Sequence, residues 1–235
     1  NQAQRDVYET VRLAMDKKVR AEIERKGVAR SQIIILEALL KLRQVCCDLR
    51  LVNSAASPAP GHSSGKLASL LHLLDELLGS GRRILLFSQF TSMIEILTAR
   101  LQEESISYFV LQGSTKKEQR AQMVEQFNRD DTSVFCISLK AGGTGLNLTG
   151  ADIVIHYDPW WNVAVENQAT DRAHRIGQKN VVTVYKLIAK GTIEEKIIKL
   201  QQMKKELAEE ILSGDEIKTA SFQREELLKL LEERF

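Results

Sequence analysis

The chain has 235 residues, of which 43% are hydrophobic and 27% are charged, and its formal net charge at pH 7 is +2. This composition is that of a globular protein rather than a disordered one, and so small a net charge does not by itself indicate a nucleic-acid binder. No apolar run is long enough to cross a bilayer, so we expect no membrane partner. The first residue is not Met and already lies in a helical pattern, so we expect a fragment of a longer protein.

The cysteines give a first indication of the compartment. Cys46, Cys47 and Cys136 are odd in number, and the adjacent pair has no spacing that suits zinc. We interpret them as reduced core residues of an intracellular protein without a metal site.

The first 65 residues are predicted to be helical with a loop at their end. Apolar residues recur at helical spacing over residues 4–25 and again over residues 31–47. Residues 53–65 contain two of the three prolines among Ser and Gly residues, which is typical of an exposed, mobile loop. We therefore expect a helical lead-in at 1–52 and a flexible loop at 53–65.

From residue 66 the pattern indicates an α/β domain that ends near residue 190. A leucine-rich helix stops at residues 79–81, and short β-prone runs then alternate with amphipathic helices. The predicted strands are residues 83–88, 107–111, 133–138, 152–156 and 181–187. Apolar runs such as 84–87 and 134–137 imply burial on both faces, hence a parallel sheet between layers of helices.

Further helices are predicted around and after this sheet. Ser92-x-x-Glu95 and Thr115-x-x-Glu118 have the form of capping boxes that open two helices of the α/β domain. Helical periodicity returns over residues 192–212 and, after a Gly-Asp break, over about residues 222–233. Residues 191–235 therefore form a separate helical region.

Polar or glycine-rich loops follow three of the predicted strands. They are residues 87–90, 111–117 and 138–145. Ligands of parallel sheets gather at this carboxyl edge. Gly142, Gly143 and Gly145 beside Lys140 favour phosphate, because backbone N–H groups in such a turn can cradle an anion. A turn that needs glycine only for its dihedral angles is the alternative. The turn alone does not decide between a nucleotide and a nucleic-acid backbone.

Two adjacent tryptophans, Trp160 and Trp161, follow the fourth predicted strand. Neighbouring side chains on extended backbone point to opposite sides. Either one of them faces solvent or DNA, or both pack beneath neighbouring helices.

Residues 168–178 carry the strongest functional signal. They predict a helix that Gly177 ends in a left-handed conformation. On such a helix Arg172 and Arg175 project from one face, where two guanidinium groups suit phosphate. The alternative is that both arginines only complement the dipole of the helix C-terminus.

A complete nucleotide-hydrolysing site is missing. Residues 61–67 are one residue short of a Walker A loop and follow no strand, and residues 141–147 do not have the dinucleotide-binding spacing.

Together these segments resemble the second RecA-like lobe of the Swi/Snf-type ATPases, superfamily-two translocases on double-stranded DNA that include chromatin remodellers. The resemblance covers nearly the whole chain, with Leu49 and Val163 standing where the family usually has proline. The matching segments are residues 84–93 (motif four), 112–115 (the loop after it), 138–148 (motif five), 158–162 with 166–169 (the bridge) and 168–178 (motif six).

The resemblance implies that ATP and Mg²⁺ bind between this lobe and a first lobe that carries the Walker A lysine and the metal-binding acids. Arg172 and Arg175 would then be arginine fingers, with Gln168 beside them as a further catalytic residue. Nucleotide-binding residues would be Gly143, Gly145 and Asn147. Without the first lobe we expect no ATP hydrolysis.

The resemblance also implies a DNA-binding edge and a location. DNA phosphates would be held by Ser88, Gln89, Gly113, Ser114, Lys116, Ser138 and Lys140, with Trp160 as a further contact. Partners would be double-stranded DNA, the first lobe of the same polypeptide, and nucleosomes or another DNA-bound protein. The protein would be intracellular and DNA-associated, and residues 191–235 would brace the two lobes.

Two competing interpretations remain. One is a non-catalytic DNA- or protein-binding module on the same fold, although both arginines and Gln168 are present. The other is a strand-separating helicase or an RNA-acting relative, which residues 171–178 fit less well.

Overall fold

The computed structural model describes residues 2–27, 30–52, 64–139, 141, 145–211 and 224–232. The chain divides into two compact units: Lys66–Leu187 forms one, and Asn1–Gly65 with Ile188–Phe235 forms the other. The two end regions that the sequence suggested as separate segments therefore belong to one unit. Most of the predicted loop at 53–65 lies outside the described residues. Within the described residues, no helix combines the length and apolar character that crossing a bilayer requires.

The unit Lys66–Leu187 is built on a five-stranded parallel sheet. Its strands are β1 (Ile84–Ser88), β2 (Tyr108–Leu111), β3 (Val134–Ser138), β4 (Ile153–His156) and β5 (Thr183–Lys186). Their order is β2-β3-β1-β4-β5, with every neighbouring pair parallel. Every residue of β1, β3 and β4 is buried, as their continuous apolar sequences predict. The predicted α/β fold is confirmed.

The helices lie close to the predicted positions. They are α1 (Gln2–Lys26), α2 (Gln32–Cys47), α3 (Gly65–Gly79), α4 (Thr91–Glu103), α5 (Lys117–Arg129), α6 (Val163–Thr170), α7 (Ile193–Ile211) and α8 (Arg224–Glu232).

Both predicted capping boxes are wrong. Helix α4 begins at Thr91 after Phe90, so Ser92 lies inside the helix. Helix α5 begins one residue after Lys116. The Thr115 hydroxyl instead accepts a hydrogen bond from the Gln112 N–H at 3.0 Å, which closes the turn after β2.

Arg83 joins three segments at the amino end of the sheet. Its guanidinium lies 4.2 Å from the centre of the Phe127 ring and donates to the carbonyls of Thr132 at 2.9 Å and Gly150 at 3.2 Å. Burial lowers the pKa of Arg83. These contacts fix the segment that leads into β4.

In the other unit one hydrogen bond joins the two ends of the chain, and a second joins the last two helices. The Ile193 N–H, at the start of α7, donates to the Tyr8 hydroxyl of α1 at 2.8 Å. Lys196 of α7 donates to the carbonyl of Leu230 in α8 at 3.1 Å. Burial raises the pKa of Tyr8. All three cysteines of the chain are buried, as expected from the sequence.

Candidate functional site

The predicted helix through the arginine pair ends early. Helix α6 stops at Thr170, where the Asp171 N–H donates to the Asn167 carbonyl at 2.9 Å, and residues 171–177 form successive turns. Gly177 does adopt a positive φ of 104°, but it ends the turns and not the helix. The expectation that Arg172 and Arg175 share one face of a helix is therefore wrong.

The physical reason is the side chain of Gln178. Its Nε2 donates to the carbonyl oxygens of Ala151 at 2.7 Å, Ala173 at 3.0 Å and Thr149 at 3.3 Å, and its Oε1 accepts from the Asn180 N–H at 3.0 Å. The Ala173 carbonyl thus has a partner without a helix. Gln178 ties the arginine turn to the segment before β4, a role that no local pattern indicated.

The two arginines have different surroundings. Arg172 is 2% exposed, and its carbonyl accepts from the Leu148 N–H at 3.0 Å. Burial, and then the positive charge of Arg175, lower the pKa of Arg172. Arg175 itself is exposed. Only Arg175 is therefore open to a ligand from solvent in this conformation.

Arg175 lines a surface groove. The groove-lining residues are Asn147, His174, Arg175, Ile176, Gln178 and Asn180. The structure thus brings Arg175 together with the predicted nucleotide residue Asn147. Asn147 is fixed through its backbone, because its carbonyl accepts from Asn128 Nδ2 at 2.8 Å.

The other described residues predicted to bind nucleotide or to act in catalysis are not among those that line this groove. Gly145 is exposed, has a φ of +89° and has open space where a side chain would point. Gln168 is exposed on α6. Gly143 lies outside the described residues.

The chemistry of this groove suits an anion. It offers a guanidinium and amide groups, and the six described residues that line it include no carboxylate. Within the described part of the chain, no three His, Cys, Asp or Glu side chains come together as cation ligands. The polyphosphate of ATP therefore fits this donor set, whereas Mg²⁺ does not.

The predicted DNA residues follow the carboxyl ends of four strands. Because the sheet is parallel, these ends meet at one edge. Gly113, Ser114 and Lys116, after β2, are exposed, while Gln89 after β1 and Trp160 after β4 are half-buried. Lys140 lies outside the described residues.

Ser88 and Ser138 require a correction, because both are buried. The Ser88 hydroxyl donates to Asp158 Oδ1 at 2.6 Å, and the Gln89 N–H donates to Asp158 Oδ2 at 3.2 Å. Ser138 pairs with Ser88 across β3 and β1. The Ser88 hydroxyl positions the loop after β4, and neither buried serine side chain is available for a direct DNA contact in this conformation.

Asp158 was not predicted as a functional residue. The signal was present in the sequence, since a carboxylate stands two residues after a buried strand and precedes a proline.

Comparison with known proteins identifies the family. Residues 65–177 match the model of the helicase conserved C-terminal domain. The solved C-terminal domain of the Sulfolobus solfataricus SWI2/SNF2 ATPase is 30% identical and has a TM-score of 0.74, with 99% of this chain and 94% of that chain covered. This chain belongs to the Swi/Snf ATPases, as a C-terminal lobe. The predicted RecA-like second lobe is thus confirmed.

Relatives of this Swi/Snf lobe occur in very different organisms. An uncharacterized ATP-dependent helicase of Mycoplasma pneumoniae is 43% identical over 206 residues, which is 86% of this chain and 19% of that protein. The human chromatin-remodeling ATPase INO80 is 46% identical over 169 residues, or 72% of this chain and 11% of that protein. The lobe therefore spans a fifth or less of the length of these curated relatives.

A second structure of the Sulfolobus solfataricus SWI2/SNF2 ATPase, its core in complex with dsDNA, is also similar to the Swi/Snf lobe. It is 34% identical with a TM-score of 0.70, and the match covers 88% of this chain and 43% of that chain.

Behind the carboxyl edge of the Swi/Snf lobe lies a buried polar network. Glu166 of α6 accepts a hydrogen bond from the Trp160 N–H on Oε2 at 3.2 Å and forms an ion pair with Lys186 at the end of β5. The Thr170 hydroxyl donates to the Glu166 carbonyl at 3.3 Å and lies 3.1 Å from Nε2 of His156. Burial, with a smaller contribution from Lys186, lowers the pKa of His156 to about 3. His156 is therefore neutral at physiological pH.

Proposed function

We propose that this lobe is the C-terminal half of a DNA-dependent ATPase that moves along double-stranded DNA and remodels protein–DNA complexes. The observation that carries the proposal is the placement of two kinds of anion-binding group on one sheet. The arginine turn is hydrogen-bonded to the segment leading into β4, and the exposed polar loops follow the carboxyl ends of the strands. One rigid sheet thus joins a nucleotide side to a DNA side.

On the nucleotide side, Arg175 is the principal arginine finger. Its exposed guanidinium can reach a phosphate that a first lobe presents, and Arg172 adds positive charge from its buried position. In related phosphoryl-transfer systems such a finger is worth on the order of 10³–10⁵ in rate. Asn147 lines the same groove, and Gln168 lies on the helix that precedes the turn. Gly145 and Gly143 are further nucleotide residues that the resemblance implies.

ATP is the substrate that fits the groove, and when bound it supplies the phosphoryl group that is transferred to water. Mg²⁺ would be held by acids of the first lobe and by the phosphates, because none of the described residues that line the groove is a carboxylate. In this scheme the lobe alone does not hydrolyse ATP.

On the DNA side, the exposed loop after β2 offers backbone N–H groups, the Ser114 hydroxyl and the Lys116 ammonium to phosphates. Gln89 and Trp160 extend this surface, and Ser88 fixes the loop after β4 through Asp158. Lys140 is a further phosphate contact that the resemblance implies. Contacts of this kind bind any DNA sequence and weaken with salt. The dsDNA in the similar archaeal complex supports a duplex as the partner.

The proposed cycle uses both sides. ATP brings the two lobes together across the groove, and hydrolysis lets them separate. Each lobe binds the DNA backbone, and the two lobes bind and release it in turn, so that the protein advances along one strand of the duplex. The name of the INO80 relative supports a nucleosome or another DNA-bound protein as the object that is moved.

The test is ATP turnover by the chain joined to its natural first lobe, measured with and without blunt double-stranded DNA. We expect turnover that DNA stimulates in the joined protein, and none from the chain alone. DNA binding without turnover by the joined protein would favour a non-catalytic module. Equal stimulation by single-stranded RNA would contradict the duplex assignment.

A further inference from the structure

We propose that Glu166 is a positioning residue that couples DNA contact at Trp160 to the arginine turn. This inference rests on the proposed function, and it assigns a role to a buried carboxylate that touches neither ligand. Helix α6 is the direct covalent link between the two sides, because Trp160 precedes it and Arg172 follows it.

The two carboxylate oxygens of Glu166 have separate tasks. Oε2 accepts the Trp160 N–H at 3.2 Å, which fixes the backbone of the proposed DNA contact. Oε1 faces the Lys186 ammonium at the end of β5. The carboxylate is 1% exposed, whereas the Lys186 side chain is 40% exposed. Glu166 thus clamps the loop after β4 and the start of α6 to the same edge of the sheet.

The far end of α6 is held as well. His156 Nε2 lies 3.1 Å from the Thr170 hydroxyl, and that hydroxyl reaches the Glu166 carbonyl at 3.3 Å. Both contacts are satisfied together when the neutral His156 carries its proton on Nε2 and donates to Thr170. His156 pairs with Lys186 in the register of β4 and β5, so the two anchors are neighbours.

A helix held in this way moves as one body. Its eight residues span about 12 Å, with a hydrogen-bonded turn at each end. A displacement of the Trp160 backbone by DNA is therefore passed to Glu166 and, through α6, to the turn that carries Arg175. A contribution to folding stability alone does not explain why this buried position carries a carboxylate. Replacing a buried ion pair by well-packed apolar side chains often leaves the free energy of unfolding unchanged or raises it.

The experiment compares Glu166→Gln and Lys186→Met in the two-lobed ATPase, with Glu125→Gln, an exposed carboxylate of α5, as the matched control. In Glu166→Gln the new side-chain amide keeps an acceptor for the Trp160 N–H but loses the charge that faces Lys186. Turnover is measured without DNA and with saturating blunt duplex DNA, together with the DNA affinity.

We expect both variants to bind DNA nearly normally and to keep turnover without DNA, while stimulation by DNA falls about five- to tenfold, the size of a moderate coupling between sites. The Glu125→Gln control should keep full stimulation. An unchanged stimulation ratio in both variants would overturn the inference. An equal loss of turnover with and without DNA would also overturn it, by showing a structural role only.

The double variant Glu166→Gln/Lys186→Met keeps the experiment decisive if either single variant does not fold, because it removes both charges and leaves no buried carboxylate without its cation. The same loss of stimulation by DNA is expected for it. Failure of the proposed function itself is a separate outcome, since the wild-type protein would then show no stimulation by DNA.

Discussion

At the scale of single residues, Arg172 and Arg175 show how neighbouring identical side chains acquire different tasks. One is buried and carries a lowered pKa, and the other is exposed in a groove whose described lining residues include no carboxylate. In the proposed cycle the exposed residue approaches a phosphate as the two lobes close. The buried one contributes its charge through a medium that screens less than water does.

Replacing Arg175 by Ala should lower the rate of ATP turnover in the two-lobed protein by about 10³-fold or more, because the transferring phosphoryl group loses its positively charged partner. ATP binding, measured by titration with a fluorescent ATP analogue, should change little, since the first lobe is expected to hold most of the nucleotide. Arg175→Lys should also fail, because an ammonium cannot reproduce the planar fork. Lys179→Ala, which removes a nearby exposed cation, is the control. A normal rate of ATP turnover in the Arg175→Ala variant would show that Arg175 is not an arginine finger.

Lys116→Ala should weaken duplex binding and reduce the slope of log affinity against log salt by about one, the loss expected for a single phosphate contact. Arg129→Ala is the matched control, because it removes one exposed positive charge at the other end of α5. Affinity is measured by fluorescence anisotropy over a range of NaCl concentrations. A slope unchanged by Lys116→Ala would show that this side chain makes no contact with a DNA phosphate.

At the scale of elements, β4 ends in a histidine that cannot easily be protonated. His156 is buried, stacks on Phe87 with ring centres 5.5 Å apart, and has a pKa of about 3 instead of 6.5. The unfolded chain therefore binds a proton at a pH where the folded chain does not.

The resulting pH dependence has a definite sign. The contribution of neutral His156 to stability is fully present above about pH 6.5 and is lost as the pH falls towards 3, because protonation favours the unfolded state there. The slope approaches about 1.4 kcal/mol per pH unit within this window. Urea unfolding at several pH values should therefore show a shallower decline for His156→Phe than for wild type. His72→Gln, at an exposed position, should not change the slope, and an equal decline in His156→Phe would refute the assignment.

The elements also show which parts of the structure local sequence can predict. Strands β1, β3 and β4 were predicted within one residue at each end, because continuous apolar runs between polar turns specify buried strands. The end of α6 was missed because Gln178 satisfies the Ala173 carbonyl while also bonding to Ala151, a contact made only in the folded sheet. The sequence predicts Ser88 as a DNA contact and does not show its burial for a similar reason, since its partner Asp158 lies 70 residues away.

At the scale of the whole molecule, the two ends of the chain form one compact unit and the sheet forms the other. The hydrogen bond between Tyr8 and Ile193 joins residues 185 positions apart. Neither end region has a sequence signal for this pairing, because the helical periodicity of each shows only that one face is apolar. The buried strands of the sheet unit, by contrast, follow from local patterns.

Tyr8→Phe should destabilise the unit that contains α1 and α7 by about 1–3 kcal/mol, because it leaves the Ile193 N–H buried without its acceptor. Hydrogen exchange followed by mass spectrometry should show faster exchange at the start of α7, with β1 and β3 unchanged. Tyr108→Phe in the sheet unit serves as the control. Unchanged protection at Ile193 would show that the hydroxyl does not hold the two chain ends together.

The burial of every thiol makes the lobe a convenient subject for fluorescence measurements. The three cysteine side chains lie in the interior, and burial raises the pKa of Cys136 to about 12, which suppresses its reactive thiolate. A single cysteine introduced at the exposed position of Glu125, outside the proposed site, would react with maleimide dyes far faster than the native thiols. Opening and closing of the nucleotide cleft could then be followed by energy transfer to a second dye on the first lobe, with no native cysteine removed.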